Sequence, residues 1–278
     1  TVHNLANGIA VTSSTEVALQ GNTVADLDTG IAVSSTPSIE VSGNTVRNAK
    51  MVGLSLSGDA VQVVGNVFEY DPSVLPPPTA QSAIHYLGGQ GSIISGNTMT
   101  STDPTEHGVL VGTLSALAKN QIHDLTIDSL VADGHTNGIT IGKGVFSVHL
   151  DHNTVTASNT GLLGTAATDL RTIDVTCNSF TGGSKDAVFP RPVDTSFNVW
   201  SEVPAPVQVL DSNGDGYGDS GTGYIFCSSD YSGTRTCPAQ PFASFKTNQI
   251  SDDAPWLDTS IACPRANAAA RGIRGQKK

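Results

Sequence analysis

Along the first 200 positions, short runs of alternating apolar and polar residues close repeatedly on asparagine, as in LQGNTV, VSGNTV, VVGNVF, ISGNTM and LDHNTV. The asparagines are Asn22, Asn44, Asn66, Asn97, Asn120, Asn153, Asn178 and Asn198, with steps of 22, 22, 31, 23, 33, 25 and 20 residues. A base period near 22 therefore persists through two insertions, and self-similarity at such a period marks a solenoid. Two residues after each asparagine stand Val24, Val46, Phe68, Met99, Ile122, Val155, Phe180 and Trp200, and three before stand Leu19, Val41, Val63, Ile94, Leu117, Leu150 and Val175. The positions four before are mostly polar: Ala18, Glu40, Gln62, Ile93, Ala116, His149 and Asp174. A side-chain period of two predicts a strand with one face in the core and one in solvent.

A further strand precedes this one in each repeat, written NGIAV, TGIAV, VGLSL, HGVLV and NGITI, with glycine ahead of an alternating apolar pair. At about 22 residues a repeat has no room for a crossover helix, so its strands must coil. Equivalent strands then pair in parallel about 4.8 Å apart, and like residues stack on like. Stacked asparagine amides hydrogen-bond along the axis. The predicted fold is all-β, a right-handed parallel β-helix of about eight coils, its hand following the usual crossover preference. The expected organisation is a β-helix over 1–200, a calcium-loop and disulfide-stapled extension over 201–264, and a basic tail over 265–278.

Charge narrows the partners. The last 14 residues carry five of the 14 Lys and Arg and no acid, leaving nine bases against 25 acids in the rest. Such a body is not built for nucleic acid or other polyanions. No stretch reaches the 18 apolar residues of a membrane span. Abundant Thr, Ser, Asn and Gly with four cysteines suit a secreted, cell-surface or periplasmic protein. Cys227 and Cys237 bracket a turn-rich segment and are expected to pair, with Cys263 as the partner of Cys177.

After Trp200 the repeat gives way to SEVPAPVQVLDSNGDGYGD. Asp211, Asn213, Asp215 and Asp219, with the carbonyl of Tyr217, follow the first nine positions of an EF-hand loop, and Gly216 supplies its sharp turn. Hard oxygens at this spacing select Ca²⁺. The twelfth position is Thr222 instead of glutamate, so the bidentate ligand must come from elsewhere, Asp252 or Asp253 being candidates, or affinity is modest.

Asn198-Val199-Trp200, the DSNGDGYGD loop, Gly223-Tyr224-Ile225 and the DDAPWL run at 252–257 together resemble the C-terminal pattern of NosD-like right-handed β-helix proteins, of the pectate-lyase-like superfamily. The resemblance implies a β-helix over about 200 residues and an ending of about 60. The chain departs from that pattern in the inserted Cys227–Cys237 segment and in lacking an aromatic run before the Asp loop. The copper-site assembly known for NosD is not carried over, because methionine is limited to Met51 and Met99 and the latter belongs to an apolar column.

Two insertions, at 69–81 and 123–136, are expected to wall a groove on the outer face. His149, Asp151 and Asp174 project outward by strand parity and are the candidate groove residues, with Glu40 and Gln62 extending the face. His85, His107, His123 and His135 have no metal-ligand spacing and read as surface or turn histidines. The best-supported function is a non-catalytic extracellular module, stabilised by Ca²⁺, that binds a glycan or acts as a surface scaffold. A polysaccharide lyase or C5-epimerase working in the groove is the first alternative. A filament subunit that self-associates through an uncapped N-terminal coil is the second.

Overall fold

The computed structural model describes residues 6–71, 82–101, 107–114, 121–165, 172–182, 185–188, 193–195 and 198–200, and the backbone of three later strands. The chain winds as a parallel β-helix with three walls. The first wall stacks Asn7–Thr12, Thr29–Ser34, Val52–Ser57, Ser82–Gln90 and His107–Val111, then the ends of Val131–Ile141 and Thr154–Gly164, then Lys185–Val188. The second wall runs from Ala18–Gln20 through Glu40–Ser42, Gln62–Val64, Ile93–Ser95, Leu125–Asp128 and Ser147–Asp151 to Thr172–Thr176. The third runs from Thr23–Ala25 to Val199–Trp200. Val131–Ile141 and Thr154–Gly164 pass through the bend from third wall to first without a break, which joins these two walls into one 15-stranded sheet.

Each wall sends apolar columns inward, the first wall two of them, the second of these running through Val33, Leu56, Tyr86, Val111 and Ile141. Ile31, Leu54, Ile84, Val109, Ile139 and Leu162 are in register on the first, and Val41, Val63, Ile94, Ile127, Leu150 and Val175 on the second. All twelve are at most 1% exposed. Burial at about 25 cal/mol per Å² of apolar surface makes these columns the main source of stability. The glycine ahead of each first-wall pair has a steric reason: a Cβ on Gly30 would lie 2.5 Å from Val46 Cγ1 and 2.6 Å from the Gly53 carbonyl oxygen. The third-wall column packs into the space that the missing side chains leave.

The asparagine ladder forms with one substitution. Asn22, Asn44 and Asn66 each donate both the backbone N–H and a side-chain N–H to the Oδ1 of the next asparagine, at 2.9 Å in all six bonds. A second amide hydrogen goes back to a second-wall carbonyl of the preceding coil, as from Asn66 to Val41 and from Asn97 to Val63. In the fifth coil the ladder position is Leu130, not Asn120. Thr126, Ile127 and Asp128 pair with Ile93, Ile94 and Ser95, and Val131 with Thr98, which places Leu130 over Asn97. The fifth coil's columns accordingly contain Thr126, Ile127 and Ala132 instead of Ala116, Leu117 and Ile122. Asn120 itself lies outside the described residues. The ladder resumes at Asn153 and continues through Asn178 to Asn198.

The same register corrects the second insertion. Residues 123–136 are ordinary coil, containing Leu125–Asp128 and the start of Val131–Ile141. The extra length lies before them, in the stretches around 102–106 and 112–121, whereas the first insertion follows Val67–Tyr70 as expected. Beyond the coils, Val207–Leu210 pairs antiparallel with Thr234–Cys237, and Val193–Thr195 pairs parallel with Ile250–Asp252.

Candidate functional site

The outer face of the second wall carries the predicted residues. Strand alternation turns Ala18, Glu40, Gln62, Ile93, Thr126, His149 and Asp174 away from the core in positions related by one coil, and Gln20 Nε2, from the neighbouring outward column, donates to Glu40 Oε1 at 3.1 Å. In register His149 stands between Thr126 and Asp174, with its Nδ1 3.7 Å from Asp174 Oδ2; their side chains are 43% and 51% exposed. The other carboxylate oxygen of Asp174 accepts a 2.6 Å bond from Thr176 Oγ1. A hydroxyl thus orients a carboxylate that faces an imidazole. Two residues along, Asp128 and Asp151 form a parallel column with Thr176.

Asp151 behaves differently from its neighbours. Its side chain is only 14% exposed, and its Oδ1 lies 3.1 Å from Nδ1 of His152, whose ring is also 3.9 Å from Asp128 Oδ1. His152 sits at the bend into the third wall, where the backbone is left-handed in every coil from the first to the seventh. Gly21, Gly43, Gly65 and Gly96 take φ of 60–63° there, but Ser129, His152 and Cys177 hold φ of 53°, 53° and 62° without glycine's freedom. Among the described residues, the fifth to seventh coils carry Ser129, His152 and Cys177 at this corner in place of glycine.

The residues of the insertions that would wall the expected groove, 72–81, 102–106 and 115–120, lie outside the described residues. The insertion after Val67–Tyr70 enters at the opposite bend, from third wall to first. A small open recess at that bend is lined by Val46, Gly53, Phe68 and Ala83, with Tyr70 and His135 among its polar lining. Asp211, Asn213, Asp215, Tyr217 and Asp219, the ligands expected from the sequence for Ca²⁺, lie outside the described residues. The sequence matches the "Right handed beta helix region" family over residues 7–180, more than half of the chain.

The chain belongs to the right-handed β-helix family. No curated protein matches it. Among the described residues of this right-handed β-helix, no helix is long and apolar enough to cross a membrane.

A histidine cluster went unseen in the sequence. His107 and His135 are 4% and 2% exposed, not surface residues. His107 Nδ1 and Thr140 Oγ1 share a 2.9 Å hydrogen bond, and His85 Nε2 lies 2.9 Å from the Gly112 carbonyl oxygen. Burial pushes both His107 and His135 down to about 4, helped by the repulsion of His85 on His107 and of His107 on His135. Burial also lowers His85. His123 differs: it stacks on Phe146 with ring centroids 4.7 Å apart. Spacing offered no signal for the cluster, because 22 and 28 residues separate its members and proximity arises only through stacking.

Proposed function

We propose that the protein is a non-catalytic, extracellular β-helix module that binds a neutral, hydroxyl-rich glycan along the outer face of its second wall. The supporting observation is the stripe Thr126–His149–Asp174 beside Asp128–Asp151–Thr176, in which hydroxyl, imidazole and carboxylate groups recur at coil spacing. Adjacent coils repeat at about 4.8 Å, close to the length of one sugar residue in an extended chain, so successive rings meet successive coils. Donors and acceptors alternate along the stripe as hydroxyl recognition requires. The net charge of −11 opposes uronate or sulfate polymers unless a cation bridges them. A Ca²⁺ held by Asp211, Asn213, Asp215, Tyr217 and Asp219 belongs to this reading as a structural ion.

A glycan array followed by calorimetry tests the proposal. The intact protein should bind a neutral polymer, and His149→Ala or Asp174→Ala should weaken binding at least tenfold with the fold unchanged by circular dichroism. Wild-type protein that binds no glycan on the array would remove this function.

The bond from Thr176 to Asp174, facing His149, favours one second reading: a lyase or C5-epimerase with His149 as base. It predicts unsaturated product or inverted C5 configuration from a uronate polymer, abolished by His149→Ala. Unchanged polymer after incubation with wild-type protein excludes it.

A further inference from the structure

At the bend between the second and third walls, one Asp, one His and one Cys converge. A ligating atom from each of Asp151, His152 and Cys177 lies within 4.8 Å of the other two. These are three different donors, a carboxylate oxygen, an imidazole nitrogen and a sulfur, from two successive coils. Their exposure is graded: the Cys177 residue is 2% exposed, the Asp151 side chain 14% and the His152 side chain 46%. The cluster thus has a buried anchor and an open mouth.

The backbone beneath it is clamped. His152 and Cys177 each precede a ladder residue. Asn153 donates its backbone N–H to Asn178 Oδ1 at 3.0 Å and its side chain to the same atom at 2.8 Å. The left-handed corner, φ 53° at His152 and 62° at Cys177, aims both side chains from equivalent positions one coil apart. In the first four coils the same corner is glycine and offers no side chain at all.

Cys177 carries no free thiol; its sulfur is held in a disulfide whose other half lies outside the described residues. A disulfide sulfur does not ligate zinc, whereas a thiolate does. We propose that this corner is a thiol-gated Zn²⁺ site: closed while Cys177 is oxidised, and formed from Asp151, His152 and the Cys177 thiolate once the disulfide is reduced. A dithiol reductant supplies the two electrons. One of its thiolates attacks the partner sulfur and expels Cys177 as thiolate, and its second thiol resolves the mixed disulfide, leaving the reductant oxidised and the protein with two thiols. Zn²⁺ then takes the Cys177 sulfur in place of its proton, the His152 nitrogen and an Asp151 oxygen. Water fills the fourth, tetrahedral position on the exposed side. A mixed O, N, S set suits Zn²⁺ better than Ca²⁺ or Mg²⁺, which select oxygen.

The test uses the full chain, oxidised and after reduction by a dithiol that is then removed by gel filtration without air, with Zn²⁺ measured by calorimetry and Co²⁺ as a spectroscopic substitute. Reduced protein should bind one equivalent at this site and show a thiolate-to-Co²⁺ charge-transfer band. Oxidised protein should show neither. His152→Ala, which leaves the disulfide intact, should weaken binding by the reduced form at least tenfold and Asp151→Asn several-fold. Equal Zn²⁺ binding before and after reduction overturns the proposal. So does a reduced chain that keeps its β-sheet spectrum but gives no thiolate band, a reduced chain that loses that spectrum, or a His152→Ala protein that binds like wild type.

Discussion

The backbone N–H of Leu130 donates to Oδ1 of Asn153 at 3.1 Å, so a leucine holds the lower half of a ladder contact whose upper half it cannot supply. Its side chain is fully buried and brings no amide to Asn97 in the coil before. Asn153 meanwhile bonds Asn178 and the Ile127 carbonyl, as Asn44, Asn66 and Asn178 bond the next asparagine and a carbonyl of the preceding coil.

Leu130→Asn should therefore be tolerated. The new amide would meet Asn153 Oδ1 and a second-wall carbonyl, and its own oxygen would receive Asn97, so the lost apolar burial is offset by bonds of about 1 kcal/mol each. Urea unfolding should give a stability within about 1 kcal/mol of wild type. Asn153→Ala, by contrast, strands several buried polar groups and should cost about 3–5 kcal/mol.

Two classes of glycine should separate cleanly. A Cβ on Gly65 would touch nothing within 4 Å, but φ is 63°, so Gly65→Ala should lose only the left-handed preference, about 1 kcal/mol. Gly138 has no such φ, yet its Cβ would fall on Val155 Cγ1 and 2.6 Å from the Gly161 carbonyl oxygen, so Gly138→Ala should be several-fold more damaging. Ser129→Gly should stabilise by about 0.5–1 kcal/mol. Melting temperatures of the three variants decide the ranking.

Acid should weaken the fold through His107 and His135. Both are held at about 4 in the native state against the ordinary histidine value of 6.5, so the unfolded chain binds more protons between those values. Stability is fully present above pH 6.5 and is lost as pH falls towards about 4. The combined loss is about 3 kcal/mol or more. The urea midpoint should drop across this window, and His135→Gln should flatten the slope. An identical midpoint at pH 7 and pH 4.5 would contradict the assignment.

Calcium offers an independent check on the loop at 211–219. Chelation should lower the melting temperature, and Asp215→Ala should reproduce the shift without chelator. At a hundredfold excess of Ca²⁺ over its dissociation constant the difference corresponds to about 2.7 kcal/mol.

Much of this architecture was legible in the residue pattern. A period near 22 with in-phase apolar columns leaves a chain little choice but to coil, because each strand can bury its apolar face only against equivalent strands above and below. The outward positions of His149 and Asp174 followed from parity alone. The errors have one source. Asn120 imitates the repeat in composition, whereas the hydrogen-bond register selects Leu130, and a turn that absorbs extra residues leaves no mark on the pattern itself.

The sequence by itself determined the coil, its inward apolar columns and all but one rung of its ladder, since these depend on local alternation repeated at a fixed interval. Only the tertiary structure decided which residues become neighbours across coils: His85 near His107 and His107 near His135, and Asp151 and His152 beside Cys177. The physical reason is that parallel stacking turns a separation of 22 to 33 residues into a few ångströms, and the length of each intervening turn sets which residues meet.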